Sequence, residues 1–289
     1  MHTRIRGWRA TAAALTMVVA LGALAVAPAA AITDGSLDGN AHPYVGLMTA
    51  HAADGDYLWR CSGTLISATV FLTAGHCTEA PAASAVVFFT GELITPDPAF
   101  DIANRNCTNP VVAGYPCGGP NSYTGAVFGH PQYDPNAFFL HDLGVVLLDG
   151  AGFSPGSFGD LPELNELNAL QPGRHTTFTA VGFGLQESFP DAAAWKTVGI
   201  RQRMVAHPWL HQINTGFVGD FAILLSNNAA AGGTCFGDSG GPNFIGTSNE
   251  LAGVTSFGLN RTCAGTGGVY RLDTADDLNW LESTFGALY

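Results

Sequence analysis

Gly237-Asp238-Ser239-Gly240-Gly241-Pro242 is the stretch that decides how the chain is read. A serine flanked by glycines sits where the backbone turns tightly and bares its N–H groups. Taken literally, residues 237–241 satisfy G-x-S-x-G, the strand–turn–helix elbow of a large hydrolase class whose histidine follows the serine in the chain. The last histidine here is His211, upstream of Ser239, and alternating strand and helix patterns are missing. The elbow reading fails on chain order. A serine hydroxyl still needs a base before it attacks an amide, so the base has to be sought upstream.

Among nine histidines, His76 stands out in Leu72-Thr73-Ala74-Gly75-His76-Cys77, after a β-rich run and beside a cysteine. Without that context it would read as an ordinary surface histidine. A carboxylate that holds the imidazole tautomer completes such a set. Asp142 opens Asp142-Leu143-Gly144-Val145-Val146-Leu147-Leu148, and a charge at the head of an apolar strand is costly to bury unless it is partnered. Its plainer reading is a turn residue capping a strand.

The whole chain has 289 residues, 47% hydrophobic and only 12% charged, which is low for a soluble domain. Its net charge is -12 and Lys196 is its only lysine, so there is no basic excess to neutralise phosphates and no nucleic-acid partner is expected. The apolar and aromatic content argues against disorder. Scarce Glu and Lys with 37 glycines argue against a coiled coil.

Arg4, Arg6 and Arg9 precede an Ala/Leu/Val run over residues 10–27, and Pro28-Ala29-Ala30-Ala31 offers an A-x-A site. This is the pattern of a signal peptide over 1–31. A membrane anchor is the weaker reading, because the run is Ala-rich and no stop-transfer charges follow. The expected product is secreted, extracellular and free of the membrane once the leader is removed. The leader carries three Arg and no acid, so the exported chain is more acidic than the whole.

Six cysteines, Cys61, Cys77, Cys107, Cys117, Cys235 and Cys263, fit export and three disulfides, although six allow about 15 pairings. Zinc is the weaker reading because no C-x-x-C pair exists. In His207-Pro208-Trp209-Leu210-His211 the proline denies the helix and the glutamate that a zinc protease needs. No calcium-loop motif is visible. Neither a metal nor a cofactor is expected.

The exported chain reads as all-β, with β-rich runs at 44–48, 63–66, 70–72, 86–89, 143–148, 176–181, 222–225 and 251–257 separated by turn residues. A C-terminal helix is expected after Thr274, with Asp277 completing a capping box and Leu278, Leu281 and Phe285 at helical spacing. Residues 161–170 read as a short helical or irregular linker. The Ser/Gly/Pro cluster at 154–159 marks a boundary between a first unit, 32–155, and a second, 156–289. Residues 95–123 read as a long surface loop. No short-period internal repeat is visible.

The contexts of His76, Asp142 and Ser239, in that order, resemble the T-A-G-H-C, D-I-A-L and G-D-S-G-G-P motifs of the chymotrypsin-like (trypsin-like) serine proteases, taken here as of bacterial type. Thr179-Ala180-Val181-Gly182-Phe183-Gly184 resembles V-x-G-W-G, Ser256-Phe257-Gly258 resembles S-W-G, and Gly268-Val269-Tyr270 resembles G-V-Y, with Phe183 and Phe257 replacing Trp. The matches run through the whole exported chain.

The resemblance implies two antiparallel β-barrels with the active site between them and a C-terminal helix. It implies His76 as base, Asp142 as its orienting carboxylate, Ser239 as nucleophile, and an oxyanion hole from the N–H groups of Gly237 and Ser239. Ser256 would hydrogen-bond Asp142. Disulfides Cys61–Cys77 and Cys235–Cys263 are implied, leaving Cys107 with Cys117. Ile32-Thr33-Asp34-Gly35 resembles the activated N-terminus I-V-G-G, whose amino group would pair with Asp238. Gly233 falls at the pocket base where Lys/Arg-specific relatives carry Asp, with Thr234, Ser256, Phe257, Gly258 and Gly268 around it. The expected partners are protein or peptide substrates, cleaved after large hydrophobic or aromatic residues by a monomer. A non-catalytic binding protein and an esterase on the same scaffold are the alternatives.

Overall fold

The computed structural model describes residues 32–286 except 92–93, 95–99, 102–105, 108–117 and 120. The expected signal peptide and the Cys107–Cys117 bridge, through Cys117, lie outside the described residues. Among those residues no helix is long and apolar enough to cross a membrane.

Six strands form the first barrel: β1 (Val45–Ala52), β2 (Tyr57–Leu65), β3 (Val70–Thr73), β4 (Ala82–Phe88), β5 (Ser122–Gly129) and β6 (Gly144–Leu148). They close in the order β1-β2-β3-β6-β5-β4, every pair antiparallel. The second barrel uses β7 (Gly173–Gly182), β8 (Trp209–Ile213), β9 (Ala222–Asn227), β10 (Pro242–Ile245), β11 (Leu251–Gly258) and β12 (Gly265–Arg271). Its order is β7-β8-β9-β12-β11-β10, and the β7–β10 pairing closes it. The two barrels therefore repeat one topology, although the sequence showed no repeat. A hydrophobic alternation pattern is too degenerate to reveal it.

Closure leaves neither barrel with a bare edge and lets inward side chains fill each interior. Leu47, Phe71, Leu72, Val87 and Val145 are fully buried in the first barrel. Phe178, Leu210, Ile223 and Val269 do the same in the second. Val181, Phe183, Phe244 and Val254 come from the second barrel's strands and following turn, yet belong to the larger core cluster with the first barrel's residues.

Both ends of the described chain cross over. Ser36–Leu37 pairs with the strand Met204–Ala206, so the start of the expected first unit lies on the second barrel's sheet. A short helix, α1, spans Gly75–Thr78, and α2 spans Ala275–Phe285. Thr274 caps α2 by accepting from Asp277 N–H, as its capping box predicted. The helix packs back on the first barrel: the Phe285 ring meets Phe128 and the Trp280 ring meets His130. The expected linker at 161–170 contains one short 3-10 turn, Glu166–Ala169.

Disulfides join Cys61 to Cys77 and Cys235 to Cys263. The first closes 16 residues of chain and ties α1 to β2. Removing it with paired Cys61→Ala and Cys77→Ala substitutions should lower stability by about 3 kcal/mol, read from urea unfolding with the slope fitted separately for each protein, since the freed unfolded chain exposes more surface.

Candidate active site

Asp142 lies just ahead of β6 in the cleft between the barrels and is fully buried. Its carboxylate is hydrogen-bonded on all sides. Oδ1 accepts from His76 N–H at 2.9 Å, both oxygens lie 3.0–3.1 Å from His76 Nδ1, and Oδ2 accepts from Ser256 Oγ at 2.5 Å. These partners offset the cost of burying the charge. The His141 backbone is left-handed at φ 51, and this turn swings Asp142 inward.

His76 sits on α1, which the Cys61–Cys77 bridge anchors, and its side chain is 24% exposed. Burial pushes the imidazole pKa down, but the Asp142 charge and hydrogen bond, with a contribution from Glu79, hold it above its ordinary value. Tyr133 donates to Glu79 Oε2 at 3.0 Å, and its ring lies against Gly75, covering the Asp142–His76 junction.

Ser239 reaches the same cleft from the second barrel. Its carbonyl accepts from Ser62 N–H at 2.8 Å, and Ser62 follows Cys61 on β2. Gly240 N–H donates to Thr255 O at 2.7 Å, and Gly241 N–H to Asp238 O at 2.7 Å. Gly240 has φ +76, and a side chain there would collide with Thr73 Oγ1 and Ala74 N, so the turn needs glycine. The N–H groups of Gly237 and Ser239 have no acceptor among the described residues. No hydrogen bond joins Ser239 Oγ to the His76 ring in this structure, and such contacts are often loose before substrate binds.

Ser256 owes its aim to a bulge. Thr255 pairs with Val269 and Phe257 with Gly268, so Ser256 is the extra residue on β11. The Phe257 ring therefore lies directly over Gly268, where a Cβ would collide with it.

Beside Ser239 opens a cavity of about 300 Å3 lined by Thr234, Ser256, Phe257 and Gly258, together with Phe138 and Phe236. Among the described residues, none of those lining it is charged. Gly233 and Gly268 do not line it. Gly233 is buried against Asn227 and donates to Thr33 O at 3.0 Å, while Phe257 covers Gly268. The pocket base and one wall expected from resemblance are thus displaced from the cavity by neighbouring side chains.

Asp238 is buried, and its carboxylate accepts from Gly184 N–H at 2.7 Å and Cys235 N–H at 2.9 Å. Desolvation pushes its pKa up to about 7, against those two hydrogen bonds and the charge of Arg60. Side chains at 182 or 184 would collide with this carboxylate, which explains the glycine spacing of the 179–184 stretch. Ile32 is fully buried with Ala180, Met204 and Ala206. Its φ of 62 is strained for a β-branched residue.

Ser62, Phe138, Phe236 and Tyr133 escaped the sequence reading. Phe236 and Phe138 lie within a few residues of Ser239 and Asp142 but belong to no site-marking pattern, and Ser62 meets Ser239 only in the folded chain. Glu79 had a signal, three residues after His76 and directly after α1.

The family model described as Trypsin matches residues 112–278. Serine protease 1 of Drosophila melanogaster is 28% identical over 254 residues, covering 86% of this chain and 82% of the relative. Trypsin alpha of Drosophila melanogaster is 24% identical over 229 residues, covering 79% and 78%. The phenoloxidase-activating enzyme of Bombyx mori is 28% identical over 252 residues, covering 78% of this chain and 54% of the relative. These relatives are insect proteins, which does not support the expectation of a bacterial type. Among solved structures, HL collagenase superposes with a TM-score of 0.63 at 19% identity, over 89% of this chain and 99% of the other. Human heparin binding protein superposes at 0.60 and 20% identity, over 88% and 96%.

Proposed function

We propose that this chain, which belongs to the trypsin family, is a secreted serine endopeptidase working through an acyl-enzyme on Ser239. His76 takes the Ser239 proton as the hydroxyl attacks the scissile carbonyl. Asp142 fixes the imidazole with its proton on Nδ1 and stabilises the imidazolium. The N–H groups of Gly237 and Ser239 receive the oxyanion, where one lost donor costs about 2.7–4 kcal/mol of barrier. His76 then gives its proton to the leaving amine, and water releases the acyl group.

The observation that carries this reading is the pairing of a buried, fully hydrogen-bonded Asp142–His76 unit with two acceptor-free N–H groups flanking Ser239 across the cleft. Labelling of Ser239 by a sulfonyl fluoride or organophosphonate, lost in Ser239→Ala, together with casein hydrolysis, is the test. Absence of labelling would favour a binding protein. Labelling with ester but no casein turnover would favour an esterase.

The uncharged, Phe-lined cavity supports preference for large hydrophobic or aromatic side chains on the acyl side. A cationic side chain there would be desolvated without a partner. A peptide panel cleaved mainly after Lys or Arg would refute this preference.

Cleavage before Ile32 frees an amino group for Asp238, a buried carboxylate held so far only by N–H groups. It also removes the strained φ at Ile32, because no preceding carbonyl remains. Signal peptidase would thereby create the activating terminus itself. N-terminal sequencing of the secreted protein should read Ile-Thr-Asp-Gly; a start well before or after Ile32 contradicts it.

Glu79→Gln removes a negative charge that raises His76. The protonated imidazole is inactive as a base, so lowering its pKa extends activity to more acidic conditions. The acid limb of kcat/KM should move to lower pH, with the alkaline limb unchanged.

A further inference from the structure

Away from the catalytic cleft, two imidazoles and a carboxylate converge where the first barrel meets α2. His130 follows β5, its side chain is 1% exposed, and the Trp280 ring stands edge-on to it. His141 lies in the turn before Asp142, and its ring stacks on His130 with centroids 5.1 Å apart. Asp276 comes from the first turn of α2. Its Oδ2 lies 3.6 Å from His130 Nε2 and 3.1 Å from His141 Nδ1. Neither nitrogen makes a hydrogen bond despite being buried, and an unpaired buried polar atom is costly. The three donor atoms lie within 4.8 Å of one another.

We propose that His130 Nε2, His141 Nδ1 and Asp276 Oδ2 bind one divalent transition-metal ion of the zinc type, clamping the Asp142 turn to the C-terminal helix. Two imidazole nitrogens and one carboxylate oxygen are zinc-type donors, whereas calcium takes six or more oxygens. Gln132 supplies a further donor. Its amide lies 2.8 and 3.0 Å from the two Asp276 oxygens, donating through nitrogen without an ion and offering oxygen when turned over.

Burial depresses the His130 pKa, which favours the neutral ring that metal ligation requires. Binding through Nε2 moves the His130 proton to Nδ1 and gives up the 3.3 Å contact from Gln132 N–H. The two rings are within 9° of parallel, so His141 must tilt to aim its lone pair at the same ion. Its side chain is 32% exposed and that of Asp276 48%, which leaves both free to adjust around the fixed His130. Asp277 stays outside the set because Tyr270 and Thr274 occupy its oxygens.

The test is Zn2+ titration of the full secreted protein carrying Ser239→Ala and no histidine tag, with competition by a chromogenic chelator and Co2+ absorption as a second readout. A single equivalent should bind, at least about tenfold more weakly in His141→Ala and in Asp276→Asn, and unchanged in His76→Ala. Both substituted ligands are partly exposed, so near-UV circular dichroism should stay native, whereas His130→Ala risks the core. No saturable binding overturns the proposal. So does binding that survives His141→Ala and Asp276→Asn, or that vanishes in His76→Ala, which would place the ion on the catalytic imidazole.

Discussion

Ser239→Ala should lower kcat for peptide hydrolysis on the order of a millionfold while leaving the protein folded. In the proposed mechanism the hydroxyl is the atom that becomes covalently acylated, and no described neighbouring side chain replaces it. Ser239 is held through its backbone, by Ser62 N–H on its carbonyl and by the Gly240 and Gly241 hydrogen bonds that follow. Loss of Oγ disturbs none of these, so the thermal midpoint should hold. Residual activity above solvent would reflect the N–H pair and substrate binding alone. If Ser239→Ala retained wild-type casein turnover, the nucleophile assignment would be wrong.

Asp142→Asn should cost about 10^4-fold in kcat with KM little changed. The native carboxylate only accepts: from His76 N–H, from the Nδ1 proton and from Ser256 Oγ. An asparagine has one oxygen and one NH2. With NH2 toward His76, Nδ1 becomes an acceptor and the proton sits on Nε2, the nitrogen that must receive it from Ser239. With oxygen toward His76, the NH2 faces Ser256, whose hydroxyl can turn and accept, but the imidazolium loses its counter-charge. Both arrangements preserve the fold and impair the base. Single-turnover acylation rates should show the defect in the chemical step. Equal acylation by wild type and Asp142→Asn would remove Asp142 from the mechanism.

Legibility of the fold followed local pattern. The runs at 70–72, 143–148, 222–225 and 251–257 became β3, β6, β9 and β11 because they are short apolar stretches bounded by turns. Strands β5, β8, β10 and β12 were not singled out. Gly265-Thr266-Gly267-Gly268-Val269-Tyr270-Arg271 carries three glycines, which weaken an isolated strand. It is a strand because β9 and β11 flank it on both sides and complete its hydrogen bonds.

The cavity was less legible than His76, Asp142 and Ser239. Its Phe138 and Phe236 come from turns nearly a hundred residues apart, and Gly233 is held by Thr33 and packed against Asn227. Ser256 was implied as a partner of Asp142, but the bulge that delivers it exists only in the pairing of β11 with β12.

What the sequence by itself determined is chemistry that neighbours along the chain can encode: a serine in a glycine turn, a histidine beside a disulfide cysteine, an aspartate heading an apolar strand, and the capped C-terminal helix. Only the tertiary structure decided which of these groups meet, which glycines face a cavity, and where two histidines and an aspartate converge on α2. Hydrogen bonding within a turn or a helix is set by residues a few positions apart, whereas the direction of a side chain into a cleft depends on barrel closure, register and one bulge, and these are properties of strand pairing rather than of any local stretch.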